Sequence, residues 1–416
     1  MDPVEPGRFE SCIRNPVVSH SDLCYHATTI CECDRAGYVM HRSRYVRWIV
    51  LLSAFSVCAL GCRPTTFLAS AAISQSMQWL ACGGAPGQWT FRGLDPNVSP
   101  RIRPGSYATA THSVHFVDAG SLGPHSYRFL WSERNGIAYA CRAGHLDMAH
   151  ARKAADWTGY LAAVTLRNLE RGQASFQFRG IEPSVYSVTV VFPPDWDRLH
   201  DGDRERLARD VSRQLGQYLS FTVLTWHEIL TWFGYRPRPH VSEFPSAFSW
   251  EDTYSNLLGV HAAAAALEDE NLPFSQAVTV AFDRQLKDLG GQSAEVAKRA
   301  AQSQKGRWYS KRWFSTVVHK RNFDVGLDDG FVTPCLVPGV NVCEGQAPLP
   351  LAVPTLEVLV RGGFSVQVEI EPRVWEEKKI LRVLEAEGSP PAKRIDPALH
   401  FPFILRHCES HADRAD

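Results

Sequence analysis

Residues 218–233 read YLSFTVLTWHEILTWF, and this stretch decides the fold that we predict for the chain. It continues a segment that is charged near residue 203 and becomes increasingly apolar, so 203–233 is predicted to form one long helix or two. Gly234 follows directly and suits the C-terminal cap of a helix, because glycine takes a left-handed backbone conformation with little strain. A helix this apolar belongs in the interior of a folded domain.

The segments on either side of this helix carry strand and helix patterns. Apolar residues at helical spacing run from 146 to 170, and Ser249 opens another helix with Asp252 three residues later, as in a capping box. Further helices fit 273–289 and 293–304, and strand patterns cover 113–117, 136–141, 174–179, 184–192, 355–360 and 364–370. The sequence therefore predicts an α+β fold with short strands before a helical middle section and a β-rich C-terminal part.

Polar residues interrupt the apolar surroundings in two of these helices. His227 and Glu228 lie among aromatic and aliphatic neighbours, where an isolated buried charge is too costly to stand without a partner. A polar stripe lies near the start of the next helix, where residues at four-residue spacing share neighbouring lines: Glu251, Asp252, Ser255 and Asn256. We expect His227 and Glu228 to be buried and to face this stripe.

A third helix adds two candidate metal ligands, Asp147 and His150, which share a face because they are three residues apart. Carboxylates and imidazoles are common ligands of zinc and other divalent cations. We predict one divalent cation, such as zinc, on four residues: Asp147, His150, His227 and Glu251. Glu228 is then the base that takes a proton from bound water in a metal-dependent hydrolase. The zinc motif with two histidines four residues apart is incomplete, because position 231 is threonine.

Two other interpretations of the same polar residues stay open. In the first, they form a buried network that ties three helices together without a metal, with Asp147 and Asp252 as ordinary first-turn acids. In the second, Glu228 and Glu251 are the acid and base of a glycosidase that acts on peptidoglycan, for which the separation of the two carboxyl groups decides the mechanism.

Two further interpretations involve other residues. Cys141 could be a nucleophile with His145 or His150 as its base, although a packed and unreactive thiol is favoured because cysteine is often buried. Alternatively, the protein is a non-enzymatic, anchored binding or scaffold protein, whose aromatic-rich face is either core or a ligand platform. Stoichiometric metal in the purified protein would separate the metal-dependent hydrolase from the other interpretations.

Residues 40–61 have the features of a bacterial lipoprotein signal peptide in the correct order. A basic region with three arginines is followed by the apolar stretch 48–60, and a glycine then precedes Cys62 as in a lipobox. An apolar stretch of this length is too short to span a bilayer as a helix. We expect Cys62 to carry the lipid and, because Arg63 rather than aspartate follows it, the protein to lie in the outer membrane facing the periplasm. An uncleaved anchor and cleavage at another position are the alternatives.

The signal peptide divides the rest of the chain. Residues 1–39 show no sustained periodicity, and their four cysteines fit no standard zinc spacing, so we expect an over-long start with Met40 as the true initiator. After the signal peptide we predict a tether with a loosely structured entry over 62–105, a single domain over 106–406 and a tail over 407–416.

Composition limits the partners of the mature chain. The full sequence has 44 basic and 44 acidic residues, which gives no electrostatic footprint for nucleic acid. The expected partners are the membrane, through the lipid anchor, and cell-wall material. In an oxidising periplasm Cys335 and Cys343 could close a short loop, although sequence does not assign the pairing. Arg152 and Asp156 are expected to form a surface ion pair.

Several blocks of the sequence carry a resemblance to a known family. The longest are 136–150, 225–235 and 243–259, and shorter blocks lie at 319–333 and 337–339. They resemble the uncharacterised bacterial family catalogued as domain of unknown function 4056, many of whose members look like lipoproteins. The likeness extends over about residues 94–406. It implies a single family unit and brings no reaction with it.

Overall fold

The computed structural model describes residues 89–101, 103, 115–130, 132–236, 243–311, 316–390 and 392–415. The chain divides into two compact units, 1–67 and 68–416, and all described residues belong to the second. The predicted signal peptide, Cys62 and segment 1–39 lie outside the described residues. Within the described part, no helix combines the length and the apolar character that crossing a membrane requires.

Eight α-helices and nine β-strands occur among the described residues. The helices are α1 (Met148–Glu170), α2 (Asp201–Trp232), α3 (Asp252–Glu268), α4 (Phe274–Asp288), α5 (Ala294–Ser303), α6 (Glu357–Arg361), α7 (Glu377–Ala386) and α8 (Pro397–Ala415). The strands are β1 (Ile137–Ala140), β2 (Gly144–Asp147), β3 (Ser175–Arg179), β4 (Val185–Val191), β5 (Tyr309–Lys311), β6 (Thr316–Val318), β7 (Phe331–Val332), β8 (Leu351–Ala352) and β9 (Ser365–Glu371).

The core is centred on α1, α2 and α3, which pack against one another. Two glycines allow this close packing. A Cβ atom at Gly216 of α2 would lie 2.8 Å from the Cβ of Ala162 in α1, and one at Gly259 of α3 would come closer still to the carbonyl oxygen of Ala151. Van der Waals repulsion excludes such contacts, so a larger residue at either position would force the helices apart.

A three-stranded antiparallel sheet joins distant parts of the chain. β4 is the central strand, and Val188 lies opposite both Phe176 of β3 and Val368 of β9. Helix α2 is fixed near this sheet because Trp226 donates a hydrogen bond from Nε1 to Oγ of Ser184, just before β4, at 3.1 Å. The turn between β3 and β4 is thereby held beside the C-terminal half of α2.

A short antiparallel hairpin, β1–β2, leads directly into α1. His145 of β2 is buried, its Nε2 lies 3.0 Å from the carbonyl oxygen of Ala297, and its Nδ1 accepts a hydrogen bond from Nε1 of Trp250 at 3.4 Å. Burial lowers the pKa of His145 to about 4, so the ring is neutral at pH 7. These contacts tie the start of α1 to α5 and to the segment that precedes α3.

Most predicted elements are confirmed, and the mixed α+β class with them. The segment 203–233 forms one helix, α2, and the helices and strands predicted between 146 and 304 occur within a few residues of their expected bounds. The strand predicted at 355–360 was wrong. Helix α6 occupies this segment, and no strand among the described residues pairs with it. Helices α7 and α8 follow, so the C-terminal part contains helices as well as β9.

Part of the segment predicted as a tether lies against the domain. Phe91 and Leu94 are buried in the main core. The backbone N–H of Trp89 donates to Oε1 of Glu170 at 3.0 Å, and the carbonyl oxygen of Arg92 accepts from the backbone N–H of Phe274 at 2.9 Å. These bonds attach the segment to the end of α1 and the start of α4.

An ionic network is buried beside α1. Arg103 pairs with Glu133 and, at 2.7 Å, with Asp156, while Nε2 of His125 lies 3.1 Å from Oδ1 of Asp156. The prediction of a surface ion pair between Arg152 and Asp156 was wrong, because both residues are buried and Asp156 pairs with Arg103 instead. Helical spacing identified neighbouring charges but could not show that another part of the chain covers them.

Candidate metal site

The candidate site starts at the N-terminus of α1. Asp147 caps this helix, and its Oδ1 accepts hydrogen bonds from the backbone N–H groups of Ala149 at 2.8 Å and His150 at 3.2 Å. Its Oδ2 lies 2.8 Å from Nδ1 of His150. One carboxylate therefore satisfies N–H groups that the helix leaves free and also orients the imidazole ring.

Helix α3 brings a second carboxylate to the same place. Asp252 is its first residue, and Oδ2 of Asp252 accepts from the backbone N–H of Ser249 at 3.1 Å, in the turn that precedes the helix. The other oxygen, Oδ1, lies 3.8 Å from Nδ1 of His150. Ser255 joins the two helix starts, because its Oγ accepts from the backbone N–H of Asp147 at 2.9 Å and donates to the carbonyl oxygen of Glu251 at 2.6 Å.

Asp147, His150 and Asp252 together have the dimensions of a cation site. Each offers one ligand atom, and the three atoms lie within 4.8 Å of one another. All three residues are buried, with exposed fractions of 1%, 7% and 3% respectively. Two atoms that bind the same zinc ion at about 2.0–2.2 Å can be up to about 4 Å apart, so small side-chain movements would suffice. We call these residues the Asp–His–Asp cluster.

Negative charge accumulates around the Asp–His–Asp cluster. Burial raises the pKa of Asp252 well above its usual value, and the charges of Glu228, Glu251 and Asp147 raise it further. These carboxyl groups repel one another when they are ionised, and His227 and Lys153, which both lower the pKa of Glu243, are positive groups on one side of the site. Protonation of Asp252 or a bound cation would each relieve this repulsion.

Glu228 is buried and reaches the segment that precedes α3, as predicted. Its Oε2 accepts a hydrogen bond from the backbone N–H of Phe248 at 3.0 Å. Phe248 has a φ of 53°, in the left-handed region where a bulky side chain is strained. Such strain persists only where the surrounding structure enforces it, and it is concentrated at functional sites.

His227 faces other partners than the stripe on α3. Its Nδ1 forms a close ion pair with Glu182, in the turn between β3 and β4, and its Nε2 lies 3.8 Å from Oε2 of Glu243. Burial lowers the pKa of His227, but the charge and hydrogen bond of Glu182 outweigh it, so the pKa lies above its usual value. Neighbouring residues of a helix point about 100° apart, which explains why His227 and Glu228 have different surroundings.

The structure thus brings together two of the four predicted ligands, Asp147 and His150, and joins them to Asp252. Neither His227 nor Glu251 supplies one of the three ligand atoms, although the charge of Glu251 raises the pKa of Asp252. The sequence placed Asp252 in the polar stripe, but its spacing from Ser249 indicated an ordinary first-turn acid, so Asp252 was not among the predicted ligands. The neighbours Glu182 and Glu243 were missed because they lie in connecting segments without periodicity.

A disulfide lies elsewhere in the domain. Cys141 is bonded to Cys343, with the Cα atoms 5.0 Å apart, so its thiol is not free to act as a nucleophile. The pairing of Cys335 with Cys343 that the sequence suggested was wrong, because Cys335 is free. A cavity of about 350 Å³ beside the disulfide is lined mainly by residues 336–346, and none of its lining residues belongs to the Asp–His–Asp cluster.

Comparison with known proteins gives a family without an activity. A family model described as a protein of unknown function, DUF4056, matches residues 112–333, just over half of the chain. The match includes the whole Asp–His–Asp cluster and confirms the family resemblance seen in the sequence. No curated protein and no solved structure matches the chain.

Proposed function

The chain belongs to the DUF4056 family, and we propose that this member is a lipid-anchored, metal-dependent hydrolase of the bacterial cell envelope. The observation that carries the proposal is the geometry of the Asp–His–Asp cluster. Three ligand atoms within 4.8 Å of one another are buried at the starts of two helices, with the carboxylates of Glu228 and Glu251 around them. Two aspartates and a histidine at this spacing are a ligand set that suits a divalent cation.

Glu228 is the residue to which we assign the proton transfer. A divalent cation lowers the pKa of coordinated water towards neutrality, and a neighbouring carboxylate can then accept its proton. The hydrogen bond from Phe248 to Oε2 orients the Glu228 carboxylate, and its Oε1 makes no hydrogen bond with any residue that the structure describes. That oxygen is therefore the acceptor in the proposed reaction.

Two observations support a location in the cell envelope. The disulfide between Cys141 and Cys343 closes a sequence separation of 202 residues, and such bonds persist in oxidising compartments such as the periplasm. Residues 40–62 have the features of a lipoprotein signal and its modified cysteine. We propose a lipid on Cys62, an outer-membrane position facing the periplasm, and cell-wall material as the source of the substrate.

A second candidate is a non-enzymatic, anchored scaffold in which the polar groups only tie helices together. The low exposure of Asp147, His150 and Asp252 favours it, because a substrate has to reach a catalytic centre. In that case Asp252 is protonated, and the cluster has no need of a cation.

Titration of the full chain with Zn²⁺ and with Mn²⁺ by calorimetry tests the proposal. We expect one cation per chain in the wild type. Asp252→Asn removes the charge of one proposed ligand. Its affinity for the cation should fall by about 100-fold or more, because losing a residue that only hydrogen-bonds to a metal ligand already costs about 10–100-fold. In the same series, the wild type should release soluble products from purified peptidoglycan, and Glu228→Gln should bind the cation but release none.

Asp324→Asn is the matched control. The Asp324 carboxylate accepts hydrogen bonds from the backbone N–H groups of Gly326 at 2.9 Å and Thr333 at 2.8 Å, outside the cluster. This variant should bind the cation as the wild type does. Equal affinities in Asp252→Asn and Asp324→Asn, or no binding in the wild type, would remove the metal proposal. A bound cation without any product would favour the scaffold.

A further inference from the structure

A carboxylate and an imidazole form a close pair near the Asp–His–Asp cluster, and the proton transfer assigned to Glu228 does not use them. The Glu182 side chain is fully buried, and its Oε1 pairs with Nδ1 of His227. Its other oxygen, Oε2, is also buried and has no hydrogen-bond partner among the described residues. The Glu182 carboxylate therefore fixes the orientation of the imidazole ring through one of its two nitrogens.

The second nitrogen of His227, Nε2, lies on the more open side of the ring. The His227 side chain is 14% exposed, whereas that of Glu182 is fully covered. Nε2 lies 3.8 Å from Oε2 of Glu243, which is longer than a hydrogen bond. Nε2 hydrogen-bonds to no described residue and is not among the buried atoms, so solvent or a bound molecule has access to it.

His227 also lies near the residues of the proposed reaction. It precedes Glu228 on α2, and the charge of Glu228 acts on the pKa of His227. The charges of His227, Glu228 and His150 all act on the pKa of Glu243, so the Glu243 carboxyl group lies within electrostatic range of all three. The exposed nitrogen of His227 therefore belongs to the same site as the proposed base and a proposed metal ligand.

The surroundings of His227 favour a ring that carries a proton. Burial lowers its pKa, but the charge and the hydrogen bond of Glu182 raise it. Lys153 lowers the pKa and Glu228 raises it, and the result lies above the usual value. Glu243 is the other charged group that faces the ring. Such an imidazolium can release the proton of Nε2 and keep that of Nδ1 on Glu182.

We propose that His227 donates the proton of Nε2 to the leaving group during hydrolysis, while Glu228 accepts a proton from water. The water oxygen bonds to the atom under attack, and the electron pair of the broken bond stays on the leaving group, which takes the proton of His227. Solvent then removes the proton from Glu228 and returns one to His227, so that one water molecule is consumed.

This inference rests on the proposed function, to which it adds the acid that complements the base. It also limits the substrate class. An amine or an alkoxide is too basic to leave without a proton, so a proton donor at this position suits a substrate with an amide, ester or glycosidic bond.

A purely structural role for His227 makes different predictions. In that role, the pair only ties α2 to the turn between β3 and β4, and removing it lowers the melting temperature without changing how the reaction rate depends on pH. His227→Asn separates the two roles. The asparagine amide keeps an N–H group near the position of Nδ1 for the bond to Glu182, but it has no group at the position of Nε2.

The experiment uses the full chain with Zn²⁺ and measures product release from purified peptidoglycan between about pH 5 and 10. The wild-type rate should fall at high pH, because His227 loses its proton there. His227→Asn should be about 100- to 10,000-fold slower, the range for a lost general acid, and should lose this fall. Glu182→Gln should shift the fall to lower pH, because the carboxylate that raises the pKa of His227 is gone.

Two measurements need no substrate. By calorimetry, His227→Asn should bind Zn²⁺ as wild type does, because His227 is not one of the three proposed ligands. By ¹⁵N NMR of the imidazole nitrogens, more than half of the wild-type molecules should carry a protonated His227 at pH 6.5, the usual pKa of histidine. Signals that are absent from His227→Asn identify the residue. His411→Gln changes an exposed histidine and should match wild type in rate and pH dependence.

Three results would overturn the inference: a His227 ring that is mostly neutral at pH 6.5, a wild-type rate in His227→Asn, or a slower rate in that variant with an unchanged fall at high pH. The proposed function fails separately, if wild type binds no cation or if Glu228→Gln still releases products. A wild type that releases no product would end both proposals.

Discussion

At the scale of single residues, the molecule contains two buried groups of charged residues, which differ in their balance of positive and negative charge. The network around Arg103 balances two arginines against Glu133 and Asp156 and needs nothing from outside. Around Asp252, by contrast, four carboxyl groups lie together, and the charges of Glu228, Glu251 and Asp147 all raise the pKa of Asp252. The first group has the composition of a structural network, whereas the second is the place where we propose that a cation binds.

His125 in the balanced network gives a prediction about pH. Burial lowers its pKa from 6.5 to about 4, although the hydrogen bond and charge of Asp156 oppose the change. Between about pH 6.5 and 4, His125 is therefore protonated in the unfolded chain but neutral in the folded protein. The free energy of unfolding should fall as the pH is lowered through this window, by up to about 1.4 kcal/mol per pH unit from this residue.

The measurement is urea unfolding of the full chain at several pH values between 7 and 4. His125→Gln should be less stable than wild type at pH 7 but should lose part of the slope below pH 6.5. His411→Gln, which changes an exposed histidine, should keep the wild-type slope. An unchanged slope in His125→Gln would mean that His125 is protonated in the folded protein.

At the same scale, the sequence alone predicted a contact correctly where both residues lie at the start of the same helix. Asp147 and His150 were paired correctly because three-residue spacing on a helix fixes their relation. Their contact with Asp252 depends on how α1 crosses α3, and the close approach of these helices at Gly259 cannot be deduced from either segment alone. The partners of His227 were missed for the same reason, because they come from two turns that the fold brings together.

At the scale of elements, periodicity was a good guide to helices and a poorer one to short strands. Helices α1 to α5 were predicted because each has several turns of apolar spacing. Strand β9 was found, but its partner β4 lies far away in the sequence, and only the fold selects that pairing. In α6, β-branched residues suggested a strand, yet no strand in the described part of the chain pairs with this segment, and a short helix forms instead.

At the scale of the whole molecule, the disulfide and the proposed lipid anchor are consistent with one location. Disulfides persist in oxidising compartments, and the lipoprotein signal that we propose would direct the chain to one. Cys141 and Cys343 fix a loop of the domain, while the Asp–His–Asp cluster depends on the starts of α1 and α3. The proposed anchor and the proposed metal site therefore lie in separate parts of the chain and can be tested separately.

The anchoring prediction concerns Cys62, which lies outside the described residues. In a bacterial host, wild type should incorporate radioactive fatty acid and fractionate with the outer membrane. Cys62→Ala should lose the label, because only a thiol directly after the cleavage site accepts the lipid. Cys408→Ala, which changes a buried cysteine of the domain, is the control and should keep the label. Equal label in wild type and Cys62→Ala would exclude the proposed anchor.

The central claim is that a divalent cation binds between Asp147, His150 and Asp252. Anomalous diffraction at the zinc absorption edge, from crystals of the full chain grown with Zn²⁺, tests it most directly. We predict one strong peak among these three side chains, at about 2.0–2.2 Å from a nitrogen of His150 and an oxygen of each aspartate. Crystals that contain zinc elsewhere, with Nδ1 of His150 still 2.8 Å from Oδ2 of Asp147 and no peak between them, would contradict the claim.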